Sequence, residues 1–314
     1  MGRRSKIKAK RRNRRVVTIS IVIAIMAVLV VLTLIVEASL NVPGSQYSVY
    51  IGQPVSSAVL SDLTGVSNST LQTINVPSGV TPPTAISGTP LSLNGKPEIL
   101  YIGGEYCPYC AAERWSIIMA LSHFGSFSGL EYMQSSSTDV SANTPTFTFA
   151  DASFTSKYVA FVPIEEWNRE AETIATPDST ESSLYSEYGA CPSTPTEGAG
   201  IPFLDIANQY VVHCGAQFNA GEGGAVDIAG ENWTQVASQL NDPNSKVAQL
   251  MDGAANTLTT AICKADGGQP TSVCGQSYAD VTLSYAVPAG ATSSGPQSLS
   301  LLLPQMREEP RWID

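Results

Sequence analysis

One stretch decides the fold of this chain: Lys96-Pro-Glu-Ile-Leu-Tyr-Ile-Gly-Gly-Glu-Tyr-Cys-Pro-Tyr-Cys-Ala-Ala-Glu-Arg-Trp115. Its first half holds a short apolar, β-prone run from Glu98 to Ile102, which Gly103 and Gly104 interrupt. Apolar residues at helical spacing follow from Cys107 onward. The stretch therefore predicts a strand, a turn and a helix, with Cys107 in the first turn of that helix.

The position of Cys107 matters for its chemistry. Unpaired amides and the dipole at a helix N-terminus stabilise an anion, so a thiolate forms there more readily than in free cysteine. Pro108 suits this turn, because first-turn amides have no intrahelical acceptor. Cys110 follows three residues after Cys107 and can close a small disulfide with it. We expect Cys107 to be exposed and to attack, and Cys110 to lie behind it and resolve.

Half of a zinc site has the same Cys-x-x-Cys spacing. A structural zinc ion needs two more ligands. The chain has no second Cys-x-x-Cys, and its two histidines are His123 and His213. The sequence therefore favours a redox pair over a metal site, and we expect no metal here.

The strand, the glycine turn, the helix and the Cys107-Pro-Tyr-Cys110 motif resemble the active-site segment of the thioredoxin superfamily, and the tetrapeptide is that of glutaredoxins. The longer string from Gly104 to Trp115 resembles a family of membrane-anchored, thioredoxin-like prokaryotic proteins that carries only a domain-of-unknown-function label. That likeness extends from about Gly52 to Cys274. The resemblance implies an α/β fold with a thioredoxin-like sheet and a thiol–disulfide exchange site, and it implies no organic cofactor.

The resemblance also suggests a substrate groove. In thioredoxin-like proteins a cis-proline faces the redox pair, and Ile201-Pro202 at the start of a predicted hairpin is the matching position. An ordinary strand-edge proline is the alternative interpretation, since cis bonds are only about 5–6% of X–Pro bonds. The groove residues that the resemblance implies are Tyr106, Pro108, Tyr109, Ile201 and Pro202.

Two residues depart from the thioredoxin pattern. Tyr106 stands where a tryptophan usually precedes the first cysteine. Tyr101 occupies the strand position at which thioredoxins bury a proton-accepting carboxylate. The group that takes the proton from Cys110 is therefore left open.

The N-terminus predicts a membrane anchor. Residues 1–15 hold nine Lys and Arg residues and no acid, and residues 16–36 are uncharged. A helix over 16–36 would be roughly 31 Å long, which matches a bilayer core. Because basic residues stay on the cytoplasmic side, we expect the tail inside and the rest of the chain outside the cell. A cleavable signal peptide ending near Val36-Glu37-Ala38 is the alternative.

The charge balance changes after the anchor. Nine of the 17 basic residues lie in the tail, so residues 37–314 carry eight basic and 27 acidic residues, a formal net charge of −19. Such an acidic portion is poorly suited to nucleic acid or to anionic lipid. The expected partners are exported proteins with thiols or disulfides, and a redox protein in the membrane is a further candidate.

Composition and pattern divide the remainder into segments. Residues 37–50 are predicted as a tether, 51–287 as the extracytoplasmic domain and 288–314 as a mobile tail. Within the domain the predicted elements are one or two helices over 56–74, an extended connection over 76–90, a second strand over 130–134, an insertion over about 135–198, a hairpin over 200–212, helices over 231–240 and 245–263, and a last strand over 280–287.

All six cysteines lie on the exported side, where disulfides persist. Cys191 and Cys214 flank the predicted hairpin, and Cys263 and Cys274 flank a short loop after a helix. Sequence alone does not fix connectivity. Proximity favours the structural disulfides Cys191–Cys214 and Cys263–Cys274, with a redox relay at Cys191–Cys214 as the alternative.

Three charged residues flank the motif. Glu105 is predicted to be solvated, and its charge would raise the pKa of Cys107. Glu113 and Arg114 are predicted to form a local ion pair, and His123 and His213 are predicted to have packing or surface roles.

The function that follows is a membrane-anchored, extracytoplasmic thiol–disulfide oxidoreductase. Its direction, as oxidase, isomerase or reductase, is not set by the residues. Two alternatives from other classes stay open: a copper(I)-handling module, since thiolates bind soft metals, and a non-catalytic cell-surface interaction domain with an inert disulfide.

Overall fold

The structure is a computed structural model that describes residues 2–40, 42–191, 198–212, 217–218 and 224–276. Within these ranges the helices are α1 Gly2–Leu40, α2 Ser57–Thr64, α3 Asn68–Ile74, α4 Pro108–Ser122, α5 Ser179–Tyr188, α6 Ala225–Ile228, α7 Trp233–Gln239, α8 Lys246–Ala265 and α9 Thr271–Cys274, with a 3-10 helix at Ser45–Tyr50. The strands are β1 Thr84–Ala85, β2 Ser92–Leu93, β3 Lys96–Gly104, β4 Gly125–Ser128, β5 Glu131–Gln134, β6 Pro145–Thr148, β7 Ser153–Ser156, β8 Ala160–Trp167, β9 Phe203–Ile206 and β10 Tyr210–Val212. The predicted strand over 280–287 and the predicted tail over 288–314 lie outside the described residues.

The main sheet of this α/β structure is mixed, and β3 is its central strand. β8 pairs with β3 in parallel, β9 pairs with its other edge in antiparallel orientation, and β10 and β1 continue outward from β9. A strand paired on both edges and covered on both faces reads as a continuous apolar run. The run Ile99–Ile102 is at most 1% exposed. The predicted strand is therefore confirmed, although it continues through Gly103 and Gly104.

Alternate side chains of β3 enter two different cores, because successive strand residues point to opposite faces. Ile99 and Tyr101 belong to the larger core, which α4 and α8 help to build. Leu100 and Ile102 belong to a smaller core that includes Leu184 of α5. The sheet thus lies between α4 and α8 on one face and α5 on the other.

Two of the predicted helices are decisive for the position of the cysteine motif. α4 begins where the sequence predicts, with Cys107 as its N-cap residue. α8 packs beside it: the Ser116 hydroxyl donates a hydrogen bond to the Met251 carbonyl at 3.0 Å, and His123 Nδ1 lies 3.2 Å from the Thr259 hydroxyl. This packing fixes the axis of α4 and so the place where its first turn meets the end of β3.

The predicted insertion over 135–198 is wrong, because a strand inside it belongs to the main sheet. Glu98 to Gly104 of β3 pair with Ala160 to Trp167 of β8. The predicted second strand, at residues 130–134, is β5, and it pairs with β6 in a separate two-stranded sheet. A parallel partner returns only after a long crossover, so two similar apolar runs do not reveal which of them joins β3.

Residues 37–50 are not the free tether that the sequence predicts. α1 continues to Leu40, and the 3-10 helix begins at Ser45. Between them, Asn143 Nδ2 donates to the Pro43 carbonyl at 2.9 Å, and Gln134 Nε2 donates to the Gly44 carbonyl at 3.1 Å. Buried amide donors need acceptors, and this segment supplies them. The predicted extended connection over 76–90 similarly contains β1, which pairs with β10.

The N-terminal helix contains a segment that could cross a membrane. Val16–Glu37 has 22 residues and a mean hydropathy of 3.3, and none of it is buried against the rest of the chain. This segment agrees with the predicted 16–36 to within one residue. α1 itself begins at Gly2, so the basic tail and the apolar segment form one helix.

Candidate active site

The cysteine motif lies where β3 runs into α4. Cys107 caps α4, Pro108 is its first residue, and Cys110 lies in its first turn. The Cys110 backbone N–H donates a hydrogen bond to the Cys107 sulfur at 3.3 Å. Both thiols are free. The strand, turn and helix therefore present two unbonded sulfur atoms at one helix N-terminus.

The pKa values of the two thiols are shifted in opposite directions. Burial raises the pKa of Cys107, but hydrogen bonds from the Cys110 side chain and from the Cys110 and Tyr109 amides, with the charge of Arg114, outweigh it. The pKa of Cys107 therefore lies below its ordinary value. Burial also raises the pKa of Cys110, and the hydrogen bond to Cys107 and the charge of Cys107 act in the same direction, so it lies well above the ordinary value. Cys107 is therefore the more acidic thiol of the pair and Cys110 the less acidic one.

The prediction that Cys107 is exposed is wrong. Its exposed fraction is 4%, and that of Cys110 is 0%. Burial raises the pKa of Tyr106, and the charges of both thiols raise it further. Burial also raises the pKa of Tyr185, with smaller contributions from Glu166 and from the two thiols. Tyr185 belongs to α5, and its hydroxyl donates to the Ala199 carbonyl at 3.1 Å. The electrostatic influence of the redox pair thus reaches a helix that is distant in sequence.

The predicted groove residues lie beside the motif. The Ile201–Pro202 peptide bond is cis, as the sequence predicts. Phe203, the next residue, pairs with Ile102 at the end of β3. A Cβ atom on Gly104 would lie 3.4 Å from Cδ1 of Ile201 and 2.9 Å from Cε1 of Tyr106, so this glycine lets both side chains approach the strand. Pro108 is buried in α4 and Tyr109 is half-buried.

The sequence did not predict the most deeply buried charges of the site. Arg114 Nε donates to Glu165 Oε1 at 2.8 Å, and Arg114 Nη2 donates to Glu165 Oε2 at 2.6 Å. The two side chains are 0% and 1% exposed. The predicted partner of Arg114 was Glu113, but adjacent residues of a helix do not face each other. That geometry was the available signal that Arg114 has another partner.

Glu113 and Glu105 also differ from their predictions. Glu113 is fully buried, accepts a hydrogen bond from the Gln217 backbone N–H at 2.9 Å, and has a pKa of about 7 because burial raises it. Glu105 is buried and not solvated, and it accepts a hydrogen bond from the Thr148 hydroxyl at 2.5 Å. Burial raises the pKa of Glu105 despite that bond. Neither carboxyl group behaves as a surface charge.

The other cysteines that the structure describes are in disulfides, and His123 is packed in the interior. A disulfide joins Cys263 to Cys274, and Cys191 is disulfide-bonded. Cys214, its predicted partner, and His213 lie outside the described residues. His123 is packed between α4 and α8, where burial lowers its pKa to about 4. Within the described ranges, no group of three or more His, Cys, Asp and Glu side chains is arranged to hold a metal ion.

A polar cleft of about 500 Å³ opens beside Tyr106, between residues 136–139 and 169–171. The Ser136 backbone N–H donates to the Tyr106 carbonyl at 2.8 Å, which ties this wall to the motif. The Arg169 guanidinium is engaged by the carbonyls of residues 134 and 135 and by Asn143. Exposed hydroxyl groups and the carboxylate of Asp139 line the open side of the cleft.

Residues 82–186 match the family model described as a domain of unknown function (DUF929). The matched segment runs from just before β1 into α5 and includes Cys107, Cys110, Arg114 and Glu165. No curated protein and no solved structure matches the chain.

Proposed function

We propose that this protein is a membrane-anchored thiol–disulfide oxidoreductase in which Cys107 is the nucleophile and Cys110 the resolving thiol. The observation that carries the proposal is the pair of free thiols at the start of α4, with the pKa of Cys107 lowered and that of Cys110 raised. The thiolate is the attacking species in disulfide exchange. Opposite shifts give the two sulfurs different roles.

The exchange balances within the protein and one substrate disulfide. The Cys107 thiolate attacks one substrate sulfur, a mixed disulfide forms, and the first substrate thiolate leaves. Cys110 then loses its proton and attacks the Cys107 sulfur, which breaks the mixed disulfide and releases the second substrate thiolate. The substrate gains two electrons and the protein is left with a Cys107–Cys110 disulfide. The same steps in reverse transfer a disulfide to a substrate dithiol.

The acidity of Cys110 changes in the direction that the second step needs. In the free dithiol, the hydrogen bond to Cys107 and the charge of Cys107 both raise the pKa of Cys110. Both effects end when Cys107 enters the mixed disulfide. The charge of Arg114, which lowers the pKa of Cys110, stays. Cys110 therefore becomes more acidic when its attack is required.

The arrangement of elements supports a thioredoxin-like domain as the class. β3 leads through a short turn to the Cys-Pro-Tyr-Cys helix, and the hairpin of β9 and β10 returns beside β3 with Pro202 at its start. This is the chain order that the resemblance to the thioredoxin superfamily implies. Pro202 and Ile201 would then form one wall of the substrate groove and Tyr106 another.

The N-terminal helix supports membrane attachment. Val16–Glu37 could span a bilayer, and the basic residues before it favour a cytoplasmic N-terminus by the positive-inside rule. The dithiol domain would then face an extracytoplasmic space, where exported proteins form disulfides.

The burial of both sulfurs favours a second candidate, a non-catalytic domain whose pair is inert. With Cys107 only 4% exposed, a substrate sulfur has little access to its thiol. The purified, detergent-solubilised chain can be equilibrated with glutathione buffers of graded reduced-to-oxidised ratio. Peptide mapping then follows the Cys107–Cys110 state. We expect reversible oxidation and transfer of the disulfide to a reduced model protein. A pair that stays in one state across all buffers would establish the inert alternative.

A further inference from the structure

A cation that acts on the redox pair lies inside the protein. Cys107 caps α4, and Cys110 and Arg114 follow it at three and seven residues. Residues at these spacings share one face of a helix, so the guanidinium lies on the same side of α4 as the sulfurs, about one turn deeper. Its charge acts on both thiols in the same direction.

Arg114 is held in one position. Glu165 of β8 binds it through two parallel hydrogen bonds, and the Tyr101 ring of β3 lies 5.8 Å from the guanidinium carbon. Glu165 Oε1 also accepts a bond from the Phe149 N–H at 3.3 Å. Two further polar groups are buried here without a hydrogen-bond partner, Arg114 Nη1 and the Tyr101 hydroxyl. The guanidinium therefore keeps one unpaired N–H-bearing nitrogen inside the site.

Such a pair is not explained by stability. Removing two charges from water can cost more than their attraction returns, and apolar pairs of similar volume often serve a core as well or better. A fully buried Arg–Glu pair with an unpaired nitrogen calls for another role. Its place offers one, because the charge of Arg114 acts on the Cys107 sulfur at the start of the same helix face.

We propose that Arg114, fixed by Glu165, is a positioning residue whose buried charge stabilises the thiolate of Cys107. Glu165 opposes that charge from β8, but Arg114 shares a face of α4 with the sulfurs, and its charge lowers the pKa of Cys107. The other ionisable groups facing Arg114 are Tyr101 on β3, Glu105 in the turn before α4, and Cys110. The inference deepens the proposed function, on which its catalytic meaning rests.

The test is the pH dependence of Cys107 alkylation by iodoacetamide, on the reduced full chain in detergent, with the labelled cysteine identified by peptide mass. Arg114→Met should move the midpoint of the profile to higher pH and slow labelling at neutral pH by about tenfold or more, because an adjacent opposite charge shifts a pKa by one to three units. Glu165→Gln should move the midpoint to lower pH, because it leaves the guanidinium uncompensated. Opposite movements of one midpoint distinguish a charge effect from loss of packing.

Three more variants serve as controls, so that misfolding of a single variant does not decide the test. Arg114→Met/Glu165→Leu replaces the pair by apolar side chains, a change that cores tolerate, and it should keep the raised midpoint of Arg114→Met. Arg114→Lys keeps the charge and should restore a lowered midpoint. Lys157→Met removes an exposed cation and should leave the profile unchanged.

A wild-type midpoint in the double variant, or midpoints that move the same way in both single variants, would overturn the role of Arg114. That failure is distinct from failure of the proposed function. If the wild-type chain exchanges no disulfides while the midpoints move as expected, the oxidoreductase proposal fails and the role of Arg114 stands.

Discussion

The two central helices each contribute to a cysteine pair, at opposite ends. α4 has Cys107 and Cys110 at its N-terminus, free and buried; α8 has Cys263 near its C-terminus, bonded to Cys274 and half-exposed. Exposure alone would favour the pair at the end of α8 as the reactive one. The electrostatics of the helix ends favour the pair of α4, because amides and a positive dipole end stabilise a thiolate at the start of a helix, whereas carbonyls at the end disfavour it.

The interiors of the two helices differ as well. α4 buries the cation of Arg114 and pairs it with Glu165. α8 buries Asp252, whose two carboxylate oxygens have no hydrogen-bond partner. A buried charge survives at neutral pH only with a partner, and without one the group takes or releases a proton. We therefore expect α4 to keep a buried charge at Arg114, and α8 to keep Asp252 in its neutral form.

The largest expected effect follows from removing the nucleophile. Cys107→Ser should lower disulfide exchange on the order of a thousandfold or more, the scale seen when an essential nucleophile is lost. Cys110→Ser should still attack and then accumulate mixed disulfides with its partners, which mass spectrometry identifies. If Cys110→Ser instead labels no partner and Cys107→Ser retains exchange, the distinction between the two helix ends is wrong.

The second prediction concerns Asp252. Burial raises its pKa to about 8 in the folded protein, whereas in the unfolded chain an aspartate ionises near about 3.9. A raised folded pKa gives stability that is full below pH 4 and is lost as the pH rises toward 8. Over this window the loss of stability amounts to about 5–6 kcal/mol, at about 1.4 kcal/mol per pH unit. Asn does not titrate, so this loss should be absent from Asp252→Asn.

This loss is measured by denaturant unfolding at several pH values, followed by the fluorescence of the buried Trp115 and Trp233. Glu113 and Asp205, both with a pKa of about 7, should leave part of the slope in place. Asp151→Asn changes an exposed carboxylate and is the matched control. If the free energy of unfolding changes equally with pH in wild type and in Asp252→Asn, then Asp252 is charged in the folded protein.

The third prediction removes the disulfide at the end of α8. Cys263 and Cys274 are 11 residues apart, and a bridge across a loop of that size contributes about 3 kcal/mol. Cys263→Ser/Cys274→Ser should lower the free energy of unfolding by about that amount. It should leave the rate of disulfide exchange at Cys107 and Cys110 unchanged. A loss of exchange in a variant that is still folded would show that the two pairs communicate.

The sequence predicts much of what stands close together along the chain. β3, the first turn of α4 and α8 follow from local patterns, and the cis bond before Pro202 follows from the resemblance to thioredoxin-like proteins. The choice of β8 as the parallel partner of β3 does not, because it depends on packing between segments about sixty residues apart. The burial of Cys107 was missed because it too depends on the packing of the whole domain.

Charged partners are the other part that the sequence could not supply. Arg114 pairs with Glu165 across 51 residues. Glu105 was predicted as a solvated group because its type favours solvent, and the structure buries it against Thr148. A local pattern gives residue type and spacing but not the dielectric around a side chain, which decides its charge.

The smallest expected effect concerns the path by which a substrate reaches the cysteine motif at the start of α4. We expect no such substrate path at the end of α8. Asp139 is exposed on the wall of the polar cleft beside Tyr106, and its Oδ1 accepts the Val140 N–H at 2.7 Å, a bond that asparagine can keep. A substrate peptide disulfide with lysine beside its cysteine should therefore react more slowly with Asp139→Asn. Exposed ion pairs contribute about 0.2–1 kcal/mol, so the loss in kcat/KM should be at most about fivefold.

That small loss has two signatures that a loop distortion would lack. It should disappear at high salt, since exposed charges are screened over about 3 Å at 1 M. It should also be absent for the same peptide with glutamine in place of lysine, and absent in Asp151→Asn, which lies outside the cleft. An equal loss for both peptides at all salt concentrations would mean that residues 136–139 act by supporting Tyr106 and not by contacting the substrate. The Cys263–Cys274 disulfide at the end of α8 should stay intact with either peptide and at every salt concentration, because we expect it to be structural.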